Sequence, residues 1–441
     1  MGNGLMKRVA FGTLGCKVNQ TETEAMKVLF RERGYRVVGF DQGADVYVIN
    51  TCTVTGSADR KSRQMIRRAS RQAPNAIIAV VGCLPQVAAD KMEKLPQVDV
   101  IIGTTERARI VDLVEKAQQT GQQVRQVEQV NKRKDFEQLP LDYSSRTRAF
   151  LKIQDGCNQY CSYCIIPYAR GPVRSSPLEQ VVAAASELVA RGYKEIVLAG
   201  IHLGLYGSDF RPPVDLAKPL ELLEKIPGLE RIRISSLDPA QVTPTILELV
   251  AASAKICPHL HIPLQSGSSR ILRRMNRPYT SDEYRKLVAK IHRIIPNIGL
   301  TTDVMVGFPG ETEEDFAKTV QMVEQAAFSR LHVFSYSPRP GTPAARFSDQ
   351  VPGRVKAERS RYLISLGQRL AQDFHEQYLG QELPVLVEEE DTRQLWVGYS
   401  DNYIRVRFHG SGRLLNKIVP VRITAAAEDE VFGQLREDFG S

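Results

Sequence analysis

Three strand-like runs near the start of the chain each end on a cysteine, and this placement restricts the fold more than any other feature. "RVAFGTLGC" finishes at Cys16, "VYVINTC" at Cys52 and "AIIAVVGC" at Cys83. A lone cysteine is usually a small buried hydrophobe. Three of them, each at the same end of an apolar or β-branched run, favour one shared ligand over three separate burials. Between the runs, "TEAMKVLFRERG" has helical apolar spacing and a closing Gly, and "ADRKSRQMIRRASRQ" reads as a basic helix. "DVIIGTTE" reads as a further strand. Such alternation over residues 1–117 predicts a doubly wound α/β domain, a parallel sheet with helices on its faces. Ligands in these folds bind at the carboxyl ends of the strands, where all three cysteines fall.

The chain of 441 residues is too long for one core and implies two or three domains. No apolar run reaches the roughly eighteen residues of a membrane helix. "MGNGLMKRVAF" runs into strand-like sequence without a secretory h-region, so a soluble, cytoplasmic protein is expected. Seven cysteines in that compartment argue for metal or catalysis rather than disulfides. The formal charge of +9 opens the way to a polyanionic partner.

Residues 118–146 are polar and Gln-rich and read as a linker. From 147 to 375, six strand-like runs recur between helical patterns: "RAFLKIQDG", "KEIVLAG", "RIRISSL", "HLHIPLQSG", "IGLTTDVMVGFPG" and "RLHVFSYSP". Six βα units predict a partial parallel barrel with its chemistry at the strand C-termini. From 376 to 441, short alternating strands such as "LPVLVEEE" and "YIRVRFHG" predict a small β-barrel.

"GCNQYCSYC", directly after the first barrel strand, sets Cys157, Cys161 and Cys164 in C-x3-C-x2-C spacing. Four thiolates normally close a zinc or iron–sulfur site. Three can hold three irons of a [4Fe–4S] cluster and leave the fourth open to an external ligand. The alternative is a zinc knuckle completed from afar, by Cys257 or a histidine.

This motif at the start of a six-unit barrel resembles the radical S-adenosylmethionine (SAM) superfamily, and Tyr163 between the last two cysteines suits its loop. The resemblance implies that the open iron binds the amino and carboxylate groups of SAM, whose one-electron reduction yields a 5′-deoxyadenosyl radical. An amino-terminal domain with three separated cysteines, then this barrel, then a small β-barrel resembles the methylthiotransferases along essentially the whole chain. That likeness implies a second [4Fe–4S] cluster on Cys16, Cys52 and Cys83 and an RNA-binding TRAM domain at the end. "GCKVNQTETE" and "NTCTVTGSADRKSRQMIRRA" are similar to the branch acting on N6-threonylcarbamoyladenosine in tRNA. Lys17 and Val18 stand where the isopentenyladenosine branch has Gln-Met and the ribosomal-protein branch Pro-Lys. The expected reaction is methylthiolation at C2 of that nucleoside. It would need SAM, a sulfur source and an electron donor of flavodoxin or ferredoxin type. The rival readings are methylthiolation of isopentenyladenosine or of a ribosomal protein, or a non-catalytic iron–sulfur regulator that binds RNA.

Strand ends are expected to hold SAM, through Gly200, Ser235, Gln265 and Gly307. His202 in "LAGIHLG" falls where many radical SAM barrels place a glutamate, which is absent. Ser236 and Gly310 are further candidates, and each position also suits an ordinary βα turn. For RNA, Arg60, Lys61, Arg63, Arg67, Arg68 and Arg71 form a one-sided basic run with no acid among them. The last module is net acidic, with eleven acids to seven bases from residue 381 on. Strand alternation nevertheless sets Arg405 and Arg407 on one face, where with Arg413, Lys417 and Arg422 they would form a basic patch for phosphates. Cys257 and one of His259 and His261 read as core residues. Arg273 and Arg274 suit either a solvated face or a phosphate backbone.

Overall fold

The structure is a computed structural model and describes residues 6–141, 147–392 and 394–436. The end of the expected linker (142–146) and the last residues of the small barrel (437–441) lie outside these. The chain divides into two compact units. The first takes the described residues up to 141 together with Lys152–Ser176 and Ser337–Ala345. The second takes 147–151, Pro177–Tyr336 and the chain from Arg346 on.

The first unit is built on six parallel strands: β1 (Arg8–Thr13), β2 (Arg36–Val38), β3 (Val46–Thr51), β4 (Ile77–Gly82), β5 (Val100–Ile102) and β6 (Val124–Gln126). Their order is β2-β1-β3-β4-β5-β6. The strands are apolar on both faces because both are covered. Val46 and Val48 pack with Met26 and Phe30 on one side, while Tyr47 and Ile49 pack with Ile66 and Leu84 on the other. Helices α1 (Lys17–Glu32), α2 (Gly56–Gln72), α3 (Cys83–Glu93) and α4 (Ile110–Thr120) supply these covers.

The linker expectation needs correction over its first part. Helix α4 runs past 117, and β6 adds an edge strand paired to β5 in register Val100↔Val124. An edge strand of three residues needs backbone pairing on one side only, so it leaves little apolar signature. Lys152–Ser176, expected within the barrel, packs with the first unit; it contains the strand pair β8 (Gln154–Asp155) and β9 (Arg174–Ser175) and the short helix α5 (Ile166–Arg170).

In the second unit, β7 (Arg148–Lys152), β10 (Glu195–Ala199) and β11 (Arg231–Ile234) form one three-stranded sheet. β12 (His259–His261), β13 (Gly299–Val306) and β14 (Arg330–Ser335) form another. Parallel bridges Ile232↔Ile256 and Ser236↔His261 join them, so the six strands follow in chain order as a partial (βα)6 barrel. A closed five-stranded barrel follows, built from β15 (Glu382–Glu390), β16 (Trp396–Ser400), β17 (Arg405–His409), β18 (Ile418–Ala426) and β19 (Val431–Leu435). It docks on the amino-terminal ends of the βα strands. The Arg231 guanidinium donates to the carbonyls of Pro384 and Tyr399. Arg233 donates to those of Ser400 and Asp401 and pairs with buried Glu195 at 2.7 Å.

Candidate metal centre

Cys16 caps α1 after β1, Cys52 follows β3, and Cys83 opens α3 after β4. The register puts all three at the carboxyl edge of adjacent strands. Each Gly-Cys pair of the chain needs its glycine, because Gly15, Gly82 and Gly156 all have positive φ. A Cβ on Gly15 would stand 2.9 Å from Cys52 Cβ, and one on Gly156 would strike the Pro172 carbonyl at 1.9 Å. Cys16 is exposed while Cys52 and Cys83 are buried. Burial pushes the Cys83 thiol up to about 12, and the neighbouring Arg170 guanidinium pulls the other way. The Cys52 thiol is raised as well, again chiefly by burial.

A polar network underlies this edge. Asn19 on α1 accepts from the Cys16 thiol at 3.3 Å and donates to the Thr51 carbonyl at 3.0 Å. The Arg170 Nε–H donates to Cys83 Sγ at 3.4 Å and an Nη2–H to Asn19 Oδ1 at 3.2 Å. The rest of the Arg170 guanidinium grips Glu22 at 2.5 and 3.1 Å. Glu22 also takes Arg107 at 2.7 Å and Lys152 at 3.0 Å. Asp155 lies 2.7 Å from Lys152 and 3.7 Å from Arg174, and Glu137 pairs with Arg107 at 2.7 Å. Burial alone would raise the Glu22 carboxyl, but Arg107, Arg170 and Lys152 hold it down to about 2. Asp155 is held low by Lys152, Arg170 and Arg174 against the same burial.

These buried groups are four cations (Arg107, Arg170, Arg174, Lys152) against three carboxylates (Glu22, Asp155, Glu137), which leaves one positive charge beside the triad. An unbalanced buried cation is costly unless an anion sits next to it. Three thiolates on an iron–sulfur cluster are such an anion, so the residues fit that group. None of this network was foreseen. A signal for it existed: on α1 an acid, Glu22, occupies the stripe shared by Val18 and Met26.

The second set, Cys157, Cys161 and Cys164, sits in a single loop held by backbone hydrogen bonds. Cys157 N–H donates to the Gly171 carbonyl at 3.0 Å and Cys164 N–H to the Cys161 carbonyl at 2.9 Å. The Gln159 N–H points at Cys157 Sγ at 3.4 Å, and Tyr160 takes φ +49°. Segment Ser337–Ala345 braces the loop, since Ala344 N–H donates to the Ser162 carbonyl. Among the described residues, no group of three or more His, Cys, Asp or Glu converges on a single metal-ion position. Three soft thiolates are ligands that either zinc or an iron–sulfur core accepts. Cys257 is buried in the second unit, where burial pushes its thiol up to about 12.

Gly200, Ser235, Gln265 and Gly307 follow β10, β11, β12 and β13, so the structure gathers all four at one end of the barrel. Gln265 has φ +62°, an uncommon conformation for a residue with a Cβ. His202 hydrogen-bonds Gln241 at 3.0 Å, and burial lowers its pKa.

The two basic faces differ. On α2, Arg60, Arg63, Arg67 and Arg71 recur at helical spacing along one side, and neither they nor Lys61 has an ion-pair partner among the described residues. Arg67 and Arg71 line a surface hollow of about 430 Å³ with Gln64, Ser70 and Gln97. Arg68 is paired with Asp41. On the small barrel, strand alternation does set Arg405 and Arg407 on one face. Both, however, are engaged by acids: Arg407 by Asp391 and Glu430, Arg405 by Glu430 at 3.5 Å and Glu389 at 3.9 Å. Within the expected patch Arg405 and Arg407 are thus ion-paired, whereas Arg413, Lys417 and Arg422 have no ion-pair partner among the described residues.

Comparison with known proteins agrees with this layout. Residues 8–103 match the uncharacterized protein family UPF0004, 151–323 the radical SAM superfamily and 376–435 the TRAM domain. The threonylcarbamoyladenosine tRNA methylthiotransferase MtaB of Bacillus subtilis is 46% identical over 96% of this chain and 94% of its own length. The chain belongs to the radical SAM methylthiotransferase family. A tRNA-2-methylthio-N(6)-dimethylallyladenosine synthase of Pelotomaculum thermopropionicum is also similar to this methylthiotransferase, 38% identical over 98% of this chain and 99% of its own length. The fold is shared with the radical SAM methyltransferase TsrM of Kitasatospora setae, with a TM-score of 0.53 at 16% identity over 77% of each chain. The radical SAM match makes SAM the cofactor of this enzyme class. No helix among the described residues is long and apolar enough to cross a membrane.

Proposed function

We propose that this methylthiotransferase acts on tRNA, adding a methylthio group to C2 of N6-threonylcarbamoyladenosine on the 3′ side of the anticodon. The observation that carries the chemistry is that both cysteine triads belong to one compact unit and one buried guanidinium, Arg170, runs from the segment of one to a cysteine of the other. In this reading Cys157, Cys161 and Cys164 hold the cluster that supplies an electron to SAM, and Cys16, Cys52 and Cys83 hold a second [4Fe–4S] cluster. An adenine C2–H is too strong and too weakly acidic for a side-chain base, which is why a radical is required. The protein's own part is to position and enclose. Gly200, Ser235, Gln265 and Gly307 would lie along SAM, and the unpaired cations of α2 would take the phosphates. An electron donor of flavodoxin or ferredoxin type and a sulfur source complete the cytoplasmic system.

The nucleoside is supported by identities of 46% and 42%, over 96% and 94% of the chain, to two enzymes named for threonylcarbamoyladenosine; a third so named is 38% identical, the same as one named for dimethylallyladenosine. Lys17 and Val18 after the first cysteine point the same way. Mass spectrometry of tRNA nucleosides from a deletion strain tests it. N6-threonylcarbamoyladenosine should accumulate without its methylthio form, while methylthio-isopentenyladenosine stays normal. Loss of the methylthio group from the isopentenyl nucleoside instead would sink the substrate assignment and leave the two-cluster reading standing.

A further inference from the structure

Arg170 has no side-chain exposure and no place in the chemistry so far. Its guanidinium nonetheless touches Cys83, Asn19 and Glu22, with Asp155 at 3.5 Å. Asn19 in turn receives the Cys16 thiol and donates to the carbonyl of Thr51, the residue before Cys52. One guanidinium and one amide therefore reach every arm of the amino-terminal triad. Arg170 itself closes α5, six residues after Cys164, and the Arg174 guanidinium donates to its carbonyl. No other charged side chain is recorded at hydrogen-bond distance from Cys16, Cys52 or Cys83 among the described residues, which sets Arg170 apart from the cations that only balance Glu22 and Asp155.

We propose that Arg170 is a positioning residue for the amino-terminal cluster: it fixes Cys83 directly and Cys16 through Asn19, and its N–H on the Cys83 sulfur raises that cluster's reduction potential. The inference rests on the two-cluster reading. The physical reason is that a donor hydrogen bond and a nearby positive charge stabilise the more negative, reduced state of a thiolate-bound cluster. Glu22 keeps the guanidinium charged and oriented, so the contact with sulfur does not depend on solvent. Because Arg170 comes from the segment carrying the other cysteine loop, the first triad is completed only when that segment is in place.

The test uses full-length chain with Cys157, Cys161 and Cys164 replaced by Ala, reconstituted anaerobically, so that only the amino-terminal cluster loads. Its midpoint potential and electron paramagnetic resonance spectrum are then compared with those of Arg170→Gln and of Arg170→Gln/Glu22→Gln in the same background. The double variant removes one cation and one anion together, which preserves net charge and avoids leaving the buried Glu22 with Arg107 and Lys152 alone. Both variants should retain about four irons, with a midpoint shifted to more negative potential and an altered spectrum. Arg170→Lys, which keeps the charge but loses the Nε donor, should fall between. Iron retained with unchanged potential and spectrum in the double variant would overturn the assignment to Arg170. A background chain that takes up no iron at all would instead overturn the two-cluster reading.

Discussion

Cys16, Cys52 and Cys83 stand on three separate strand ends above a layer of buried ion pairs. Cys157, Cys161 and Cys164 share a loop of eight residues whose backbone bonds tie Cys164 to Cys161, Cys157 to Gly171 and Ser162 to Ala344. The first triad exists only once the sheet is folded and its charges are matched, whereas the second lies within one short stretch of sequence. A local loop serves chemistry that needs an open, reachable iron. A triad embedded in a sheet edge suits a cluster whose surroundings must stay fixed while something is held on it. The contrast predicts that the two sites fail differently when perturbed.

The largest effect should come from the cysteines themselves. Wild-type protein should bind about eight irons, two four-iron clusters. Replacing Cys157, Cys161 and Cys164 by Ala should abolish reductive cleavage of SAM. Replacing Cys16, Cys52 and Cys83 should remove half the iron and leave that cleavage in place. Iron analysis and quantification of 5′-deoxyadenosine read both. If cleavage disappears from the second variant while the loop cluster is intact, the two triads do not divide the work as described.

A smaller effect separates the triads by stability. Glu22 is surrounded by Arg107, Arg170 and Lys152 with no solvent contact. Removing one partner from a buried ionic group typically costs about 3–5 kcal/mol. Glu22→Gln should therefore destabilise the first unit by that order, measured by urea unfolding of the apo-protein. Cys→Ala changes in the loop should cost far less. The same carboxyl gives the contrast a pH signature. Its folded pKa, about 2, lies below the ordinary 4.5, so its stabilisation is complete above about pH 4.5 and is lost as pH falls towards 2. Asp155 is shifted in the same direction and adds to the loss. Wild-type stability should fall through that window, and Glu22→Gln should show a shallower acid slope. Parallel acid slopes would mean that Glu22 is not the charge on which the network turns.

What could be read from the sequence follows the same division between local and distant. The Gly-Cys pairs, the strand ends and the six barrel repeats are carried by neighbours in sequence, and they stand where the periodicity placed them. Arg170 was not readable, since Cys83 and Glu22 lie 87 and 148 residues away and nothing in "PYARG" marks its burial. Strand β19 and edge strand β6 were missed because five- and three-residue strands with Gln and Gly among them carry little alternation. Strand pattern placed Arg405 and Arg407 on one face correctly yet said nothing of Asp391 and Glu430 beside them. A face is a local property, whereas its net charge depends on which other strands pair with it.

That last point yields the finest test. Helix α2 begins shortly after Cys52 and carries Arg60, Arg63, Arg67 and Arg71, which have no ion-pair partners among the described residues and so present their charge to a phosphate. Arg405 and Arg407 must give up Glu430, Asp391 or Glu389 before they can bind one. The small barrel also sits on the amino-terminal ends of the βα strands, the end away from Gly200, Ser235, Gln265 and Gly307. Each phosphate contact releases counterions and adds about 0.7–0.9 to the slope of log K against log salt. Replacing the four α2 arginines by Gln should therefore lower the slope for tRNA binding by roughly 3. Arg405→Gln with Arg407→Gln should lower it by less than about 1, because their charges are already matched within the barrel. Deleting the barrel should weaken binding while leaving SAM cleavage nearly intact. If the order of the two slopes is reversed, the acids around Arg405 and Arg407 yield to RNA, and the principal grip belongs to the small barrel instead of the helix beside the first triad.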